Sequence, residues 1–209
     1  MKNVFLILLI TITTIGYAQK KKSSTKTASK SVLAKVDHLT AEIITENKQK
    51  KIVLFVDNEG VKEKLPLNNT THPFSEPINF TITPFTANNV KLYLIRWEEK
   101  NNITTKLKKE DQDIVESQIW NIENKELLLG NTQKSSHIIE TVFLDKNKTA
   151  SETQERNRKE GFEFNLLPNG DVVLKNKTQN NTYAYNVSLN KYEIKKGSAT
   201  KPASSRKKR

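Results

Sequence analysis

Residues 161–194 read GFEFNLLPNGDVVLKNKTQNNTYAYNVSLNKYEI, short apolar runs broken at PNGD and KTQNN, with TYAYNVSL and KYEI as the last two. Runs this brief are too short for ordinary helices, and an Asn-Gly pair between two of them is the strongest short-range hairpin signal. The segment therefore closes into an antiparallel meander.

The preceding sequence repeats the strand pattern. HLTAEIITE and KIVLFVDN flank the polar NKQKK and read as a hairpin, followed by DNEG, a turn in which Gly60 can take positive φ. PINFTITP sets Ile78, Phe80 and Ile82 on one face and Asn79, Thr81 and Thr83 on the other, a half-buried strand whose two prolines limit its length and suit an edge. VKLYLIRW is apolar on both faces, with Val90, Leu92 and Leu94 opposed to Tyr93, Ile95 and Trp97, so it needs cover on two sides and belongs in the middle of the fold. SHIIETVFLD has the same two-sided character.

Two segments depart from this pattern. TASETQERNRKEG has the Thr149 to Glu152 spacing of a capping box and a terminal Gly161, which predicts a short exposed helix lying across a sheet edge. LKKEDQDIVESQIWNI fits either helix or strand; the alternation of Ile114, Trp120 and Ile122 favours a strand over 113–122. The expected fold is mainly β, an antiparallel sandwich or barrel-like sheet with a C-terminal meander and one or two short helices. It fills residues 36–194 as one domain; a break near residue 86, through TPFTANN, is the alternative.

The amino terminus has a different character. Lys2 precedes an apolar run over residues 4–18, and Gly16 and Ala18 sit two apart at its end, the form of a secretory signal peptide cleaved after Ala18. The run is shorter than the roughly 17 to 25 residues that cross a bilayer as a helix. Export is the expectation, to the periplasm, the cell surface or the medium. The chain contains no cysteine, so a packed core must stabilise it without disulfides.

Charge is unevenly distributed. Residues 19–35 hold six basic side chains and no acid, residues 195–209 hold seven and no acid, and all 23 acidic residues lie between, leaving 36–194 at a net −2. Both terminal segments are rich in Lys, Ser, Thr and Ala and poor in groups to bury, which predicts disordered basic tails. A nucleic-acid-binding domain carries its basic face on the fold, so this partition disfavours nucleic acid. It favours loose attraction to anionic lipid headgroups, acidic polysaccharide or another envelope protein through Lys20, Lys21, Lys22, Lys195, Lys196, Arg206, Lys207, Lys208 and Arg209.

No catalytic motif stands out, and no cofactor or metal is expected. His38, His72 and His137 have no paired spacing, and six glycines show no phosphate-cradling pattern. Asp111 and Asp113 share one side of an extended segment within EDQDIVE, a weak oxygen-ligand pattern that is more simply a solvated charged turn. Adjacent Glu98 and Glu99 point to opposite faces of a strand and make no carboxylate pair. Tyr183 and Tyr185 share a face with Val187, as core or as a sugar-stacking platform. These features predict an exported, non-catalytic envelope protein that binds or scaffolds. The alternative is an exported hydrolase with a divergent carboxylate site joining Asp111, Asp113 or Glu116 to Glu98 or Glu140.

Overall fold

The computed structural model describes residues 31–67 and 74–195. Thirteen strands form three antiparallel sheets, and within each sheet the strand order is the chain order. The N-terminal sheet holds β1 (Ser31–Val36), β2 (Leu39–Glu46), β3 (Gln49–Asn58) and β4 (Val61–Pro66). The central sheet holds β5 (Ile78–Ala87), β6 (Val90–Thr104), β7 (Lys108–Asn121), β8 (Glu126–Phe143) and β9 (Ser151–Glu160). The C-terminal sheet is the expected meander of β10 (Glu163–Leu166), β11 (Val172–Lys175), β12 (Asn180–Asn186) and β13 (Lys191–Ile194).

Tight turns keep this order. Asn47 and Lys48 between β2 and β3, and Asn88 and Asn89 between β5 and β6, have positive φ at both positions. That is the two-residue turn whose twist matches antiparallel strands, and Asn tolerates it well. TPFTANN is thus the end of β5 and its hairpin turn.

The central sheet carries a core on each of its faces, and β6 shows why. Tyr93, Ile95 and Trp97 face the N-terminal sheet and join Leu39, Ile52, Leu54 and Val56 in one core. Leu92 faces the other way, with Val90 and Leu94 packed nearby, and joins Ile119, Phe164, Val172, Leu174, Tyr185 and Tyr192 in a second core. The two-sided apolar pattern of VKLYLIRW is thereby accounted for. β7 divides in the same manner, with Trp120 in the first core and Ile119 in the second, and Ile122, just past its end, joins the first.

The structure corrects several details. None of the elements is a helix: residues 151–160 are β9, paired with β8 from Phe143↔Ser151 to Lys134↔Glu160. A helix here would have had no apolar face to bury, whereas a strand satisfies the backbone groups along the edge of β8. Thr149, read as a helix cap, instead closes the β8–β9 turn, where Asp145 Oδ1 accepts the backbone N–H of Thr149 at 2.9 Å and of Ala150 at 3.1 Å. The charged side chains of β9 also guard the new edge against further pairing.

β5 is an edge strand, as its prolines suggested, but it runs through Pro84 to Ala87. A register shift between Ile78 and Thr81 accompanies Asn79 at φ 52°, so Ile78 is 40% exposed while Phe80 and Ile82 reach the first core. β7 begins at Lys108, earlier than residue 113. β1 begins at Ser31, inside the segment read as a tail, and packs Leu33 and Ala34 against the first core.

Candidate functional site

Three long strands, β6 to β8, extend the central sheet and carry its polar features. Residues directly opposite in antiparallel strands share a face. One row runs Asn101–Gln112–Ser136, and the next runs Ile103–Glu110–Ile138. Glu110 is buried, yet its Oε1 accepts the Gln112 amide at 2.6 Å and its Oε2 lies 2.5 Å from Lys108 Nζ. Gln112 in turn accepts from Asn101 Nδ2 at 3.1 Å.

The Lys108 ammonium, followed by the Gln112 amide, holds the Glu110 carboxyl down at about 2. A depressed carboxylate contributes stability that is fully present above its unfolded value of 4.5 and is lost as pH falls through the folded value. Urea denaturation should therefore show the wild type losing stability between pH 4.5 and about 2, and Glu110→Gln losing less over that window. Identical pH curves for the two proteins would show that this carboxylate is not held.

Glu99 lies on the same face nearer the first core and is only 2% exposed. Its Oε1 accepts the Trp97 indole N–H at 2.8 Å, and its Oε2 has no hydrogen-bond partner among the described residues. Its neighbour Glu98 points to the opposite face, half-buried, and accepts from Asn79 Nδ2 at 2.9 Å. The two adjacent glutamates are separated by the pleat, as the strand period requires.

Asp111 and Asp113 do share a face, with side chains 42% and 69% exposed, and each stands near a lysine: Lys109 at 3.4 Å and Lys100 at 3.9 Å. Glu116 accepts from Thr132 at 2.9 Å, and Glu140 pairs with Arg156 at 3.0 Å. Among the described residues no three His, Asp or Glu side chains gather to hold a metal ion. His38 meets the Tyr93 ring edge-on at 6.3 Å, and His137 stands 3.1 Å from Asn157 Oδ1 and 3.5 Å from Glu155. His72 lies outside the described residues.

The tyrosine pair belongs to the second core. Tyr185 is 3% exposed and donates to Asn190 Oδ1 at 2.7 Å, Tyr183 is packed against the same cluster, and Tyr192 donates to the Gly170 carbonyl at 2.9 Å. Of the basic residues read as a surface-binding set, Lys195 alone is described, and it is part of the folded body. Its N–H reaches the Thr182 carbonyl at 2.8 Å and its ammonium sits 2.5 Å from Asp171 Oδ2. Lys20, Lys21, Lys22, Lys196, Arg206, Lys207, Lys208 and Arg209 lie outside the described residues.

A cleft of about 480 Å³ opens where β9 hands over to β10. One wall is Gln133 and Lys159 from the paired strands β8 and β9; the other is Lys175, Asn176, Lys177 and Thr178 from the end of β11 and its turn. Gly161 lies between them at φ 77°. The turn is fixed by Asn176, whose Oδ1 accepts the N–H of Thr178 at 2.9 Å and of Gln179 at 2.8 Å. Sequence reasoning missed this site because only the fold brings Lys159 of β9 beside Lys175 and Lys177, and no spacing along the chain marks it as their neighbour.

No family model matches the chain, and no curated protein matches it in sequence.

Proposed function

We propose that this chain is an exported, non-catalytic protein of the cell envelope that binds or scaffolds, and that its basic terminal segments draw it to anionic surfaces. The observation that carries the reading is the partition of charge. The body is close to neutral and pairs many of its own ions, as in Lys91 with Asp37 at 2.8 Å, Lys125 with Glu63 at 2.7 Å and Lys195 with Asp171 at 2.5 Å. The surplus positive charge lies in the two terminal stretches, and the leader pattern before residue 19 supports export. The Lys195 pair removes that residue from the attracting set.

Near an anionic bilayer each Lys or Arg contributes about 1 kcal/mol, weakened by salt. The full chain should co-sediment with vesicles rich in phosphatidylglycerol and release at high salt. Exchanging Lys196, Lys201, Arg206, Lys207, Lys208 and Arg209 for Gln should weaken that binding at least ~10-fold. Undiminished binding by the exchanged chain sinks the tail assignment. Mass spectrometry of the mature amino terminus tests export, with Gln19 as the expected first residue; an intact Met1 in the cytoplasm overturns it.

A further inference from the structure

We infer that the cleft at the β9–β10 handover is a binding site for a small anionic saccharide, one bearing a phosphate or a carboxylate among its hydroxyls. Its volume, about 480 Å³, falls in the range of small-ligand pockets, roughly 300 to 1,000 Å³. Its charge is what selects the ligand. Lys159, Lys175 and Lys177 all line it, and none of the three enters an ion pair among the described residues. That sets them apart from lysines such as Lys91, Lys108, Lys125 and Lys134, which stand against carboxylates.

Two acids also line the cleft, and they do not cancel the lysines. Glu160 is occupied by Lys134 at 3.6 Å and by Arg158. Glu163 stands opposite Lys175 across the β10–β11 pair without closing an ion pair on it. The local surplus is therefore positive, at the surface of a body that is net negative. Neutral donors complete the lining. Gln133 contributes its amide, and Asn176, whose Oδ1 is spent inside the turn, keeps its Nδ2 free to donate. Lysines that meet an anion beside amides that meet hydroxyls make a mixed set suited to an acidic sugar.

The cleft is held open by backbone. A Cβ on Gly161 would lie 2.1 Å from the Thr132 carbonyl oxygen, so the backbone here lies closer to β8 than a residue with a side chain could. The lysines therefore project from two walls whose separation is set by main-chain packing, which reduces the ordering cost of binding.

This site is separate from the terminal segments, and the test keeps the two apart. Amide NMR of the full chain would be recorded during titration with digalacturonic acid, with glucose 1-phosphate, with inorganic phosphate and with neutral maltose. The expected result is saturable shifts at Gly161 and at 176–179 for one or both anionic sugars, weaker shifts for phosphate, and none for maltose. The two sugars distinguish a carboxylate from a phosphate preference.

Lys159→Gln with Lys175→Gln and Lys177→Gln should lower affinity at least 10-fold while leaving vesicle binding unchanged. The single exchange Lys177→Gln, in an exposed turn, gives a second readout in case the triple variant folds poorly, and should weaken binding several-fold. Shifts confined to the terminal segments, or affinity unchanged in both variants, would overturn the assignment without touching the tail reading. Vesicle binding that fails while the cleft titrates would do the reverse.

Discussion

Trp97→Ala is expected to lower the stability of the protein by about 4 kcal/mol or more, enough to consume much of the 5 to 15 kcal/mol typical of a domain. Trp97 is 1% exposed, lies in the core between the N-terminal and central sheets, and stacks on Phe80 with ring centroids 5.7 Å apart. Truncation removes one of the two buried tryptophans of that core and leaves a cavity, which by itself costs about 3 to 5 kcal/mol. It also removes the indole N–H from Glu99, whose other oxygen has no partner among the described residues. A buried carboxylate stripped of its donor adds about 1 to 3 kcal/mol.

Trp97→Phe separates the two contributions, because it keeps most of the ring and deletes the donor. Pairing it with Glu99→Gln should recover part of the loss, since the amide is neutral and carries no uncompensated charge. Urea denaturation of the four proteins measures both effects. A Trp97→Phe loss below about 0.5 kcal/mol would show that the indole contact to Glu99 contributes nothing.

Gly161→Ala should cost about 3 kcal/mol or more, against about 1 kcal/mol for Gly60→Ala. Both glycines have positive φ, 77° and 91°, where an L side chain is strained. The difference is space. A Cβ at Gly60 meets nothing within 4 Å, so only the conformational penalty remains. A Cβ at Gly161 would meet the Thr132 carbonyl oxygen at 2.1 Å and its carbon at 3.2 Å, atoms of a paired central strand with no free side chain to yield. Relief requires β9 and β10 to separate from β8, disturbing the Lys134↔Glu160 end of the ladder. Denaturation midpoints of the two variants compare the sites directly, and equal losses would refute the close packing at the handover.

Much of the architecture was legible because strand signals are local. An apolar residue at every second position announces a half-buried strand, and two apolar faces announce a strand covered twice; VKLYLIRW therefore declared its central place before any partner was known. The Asn169-Gly170 turn declared the C-terminal meander, since tight hairpins leave little freedom in strand order. The separation of charge between body and ends required only counting. TASETQERNRKEG misled for the same reason that the others informed: its capping-box spacing is a local signal, and the deciding influence was the unpaired backbone edge of β8, which is not local.

The sequence by itself determined a β-rich body, its turns, the strand that lies at its centre and the place of its surplus charge, because each follows from side chains within a few residues of one another. Tertiary structure alone decided which face of each strand meets which sheet and that residues 151–160 extend instead of coil. It alone placed Lys159, Lys175 and Lys177 around one cleft. Those outcomes depend on register and on backbone hydrogen bonds between segments distant in the chain, and no short stretch of sequence contains both partners.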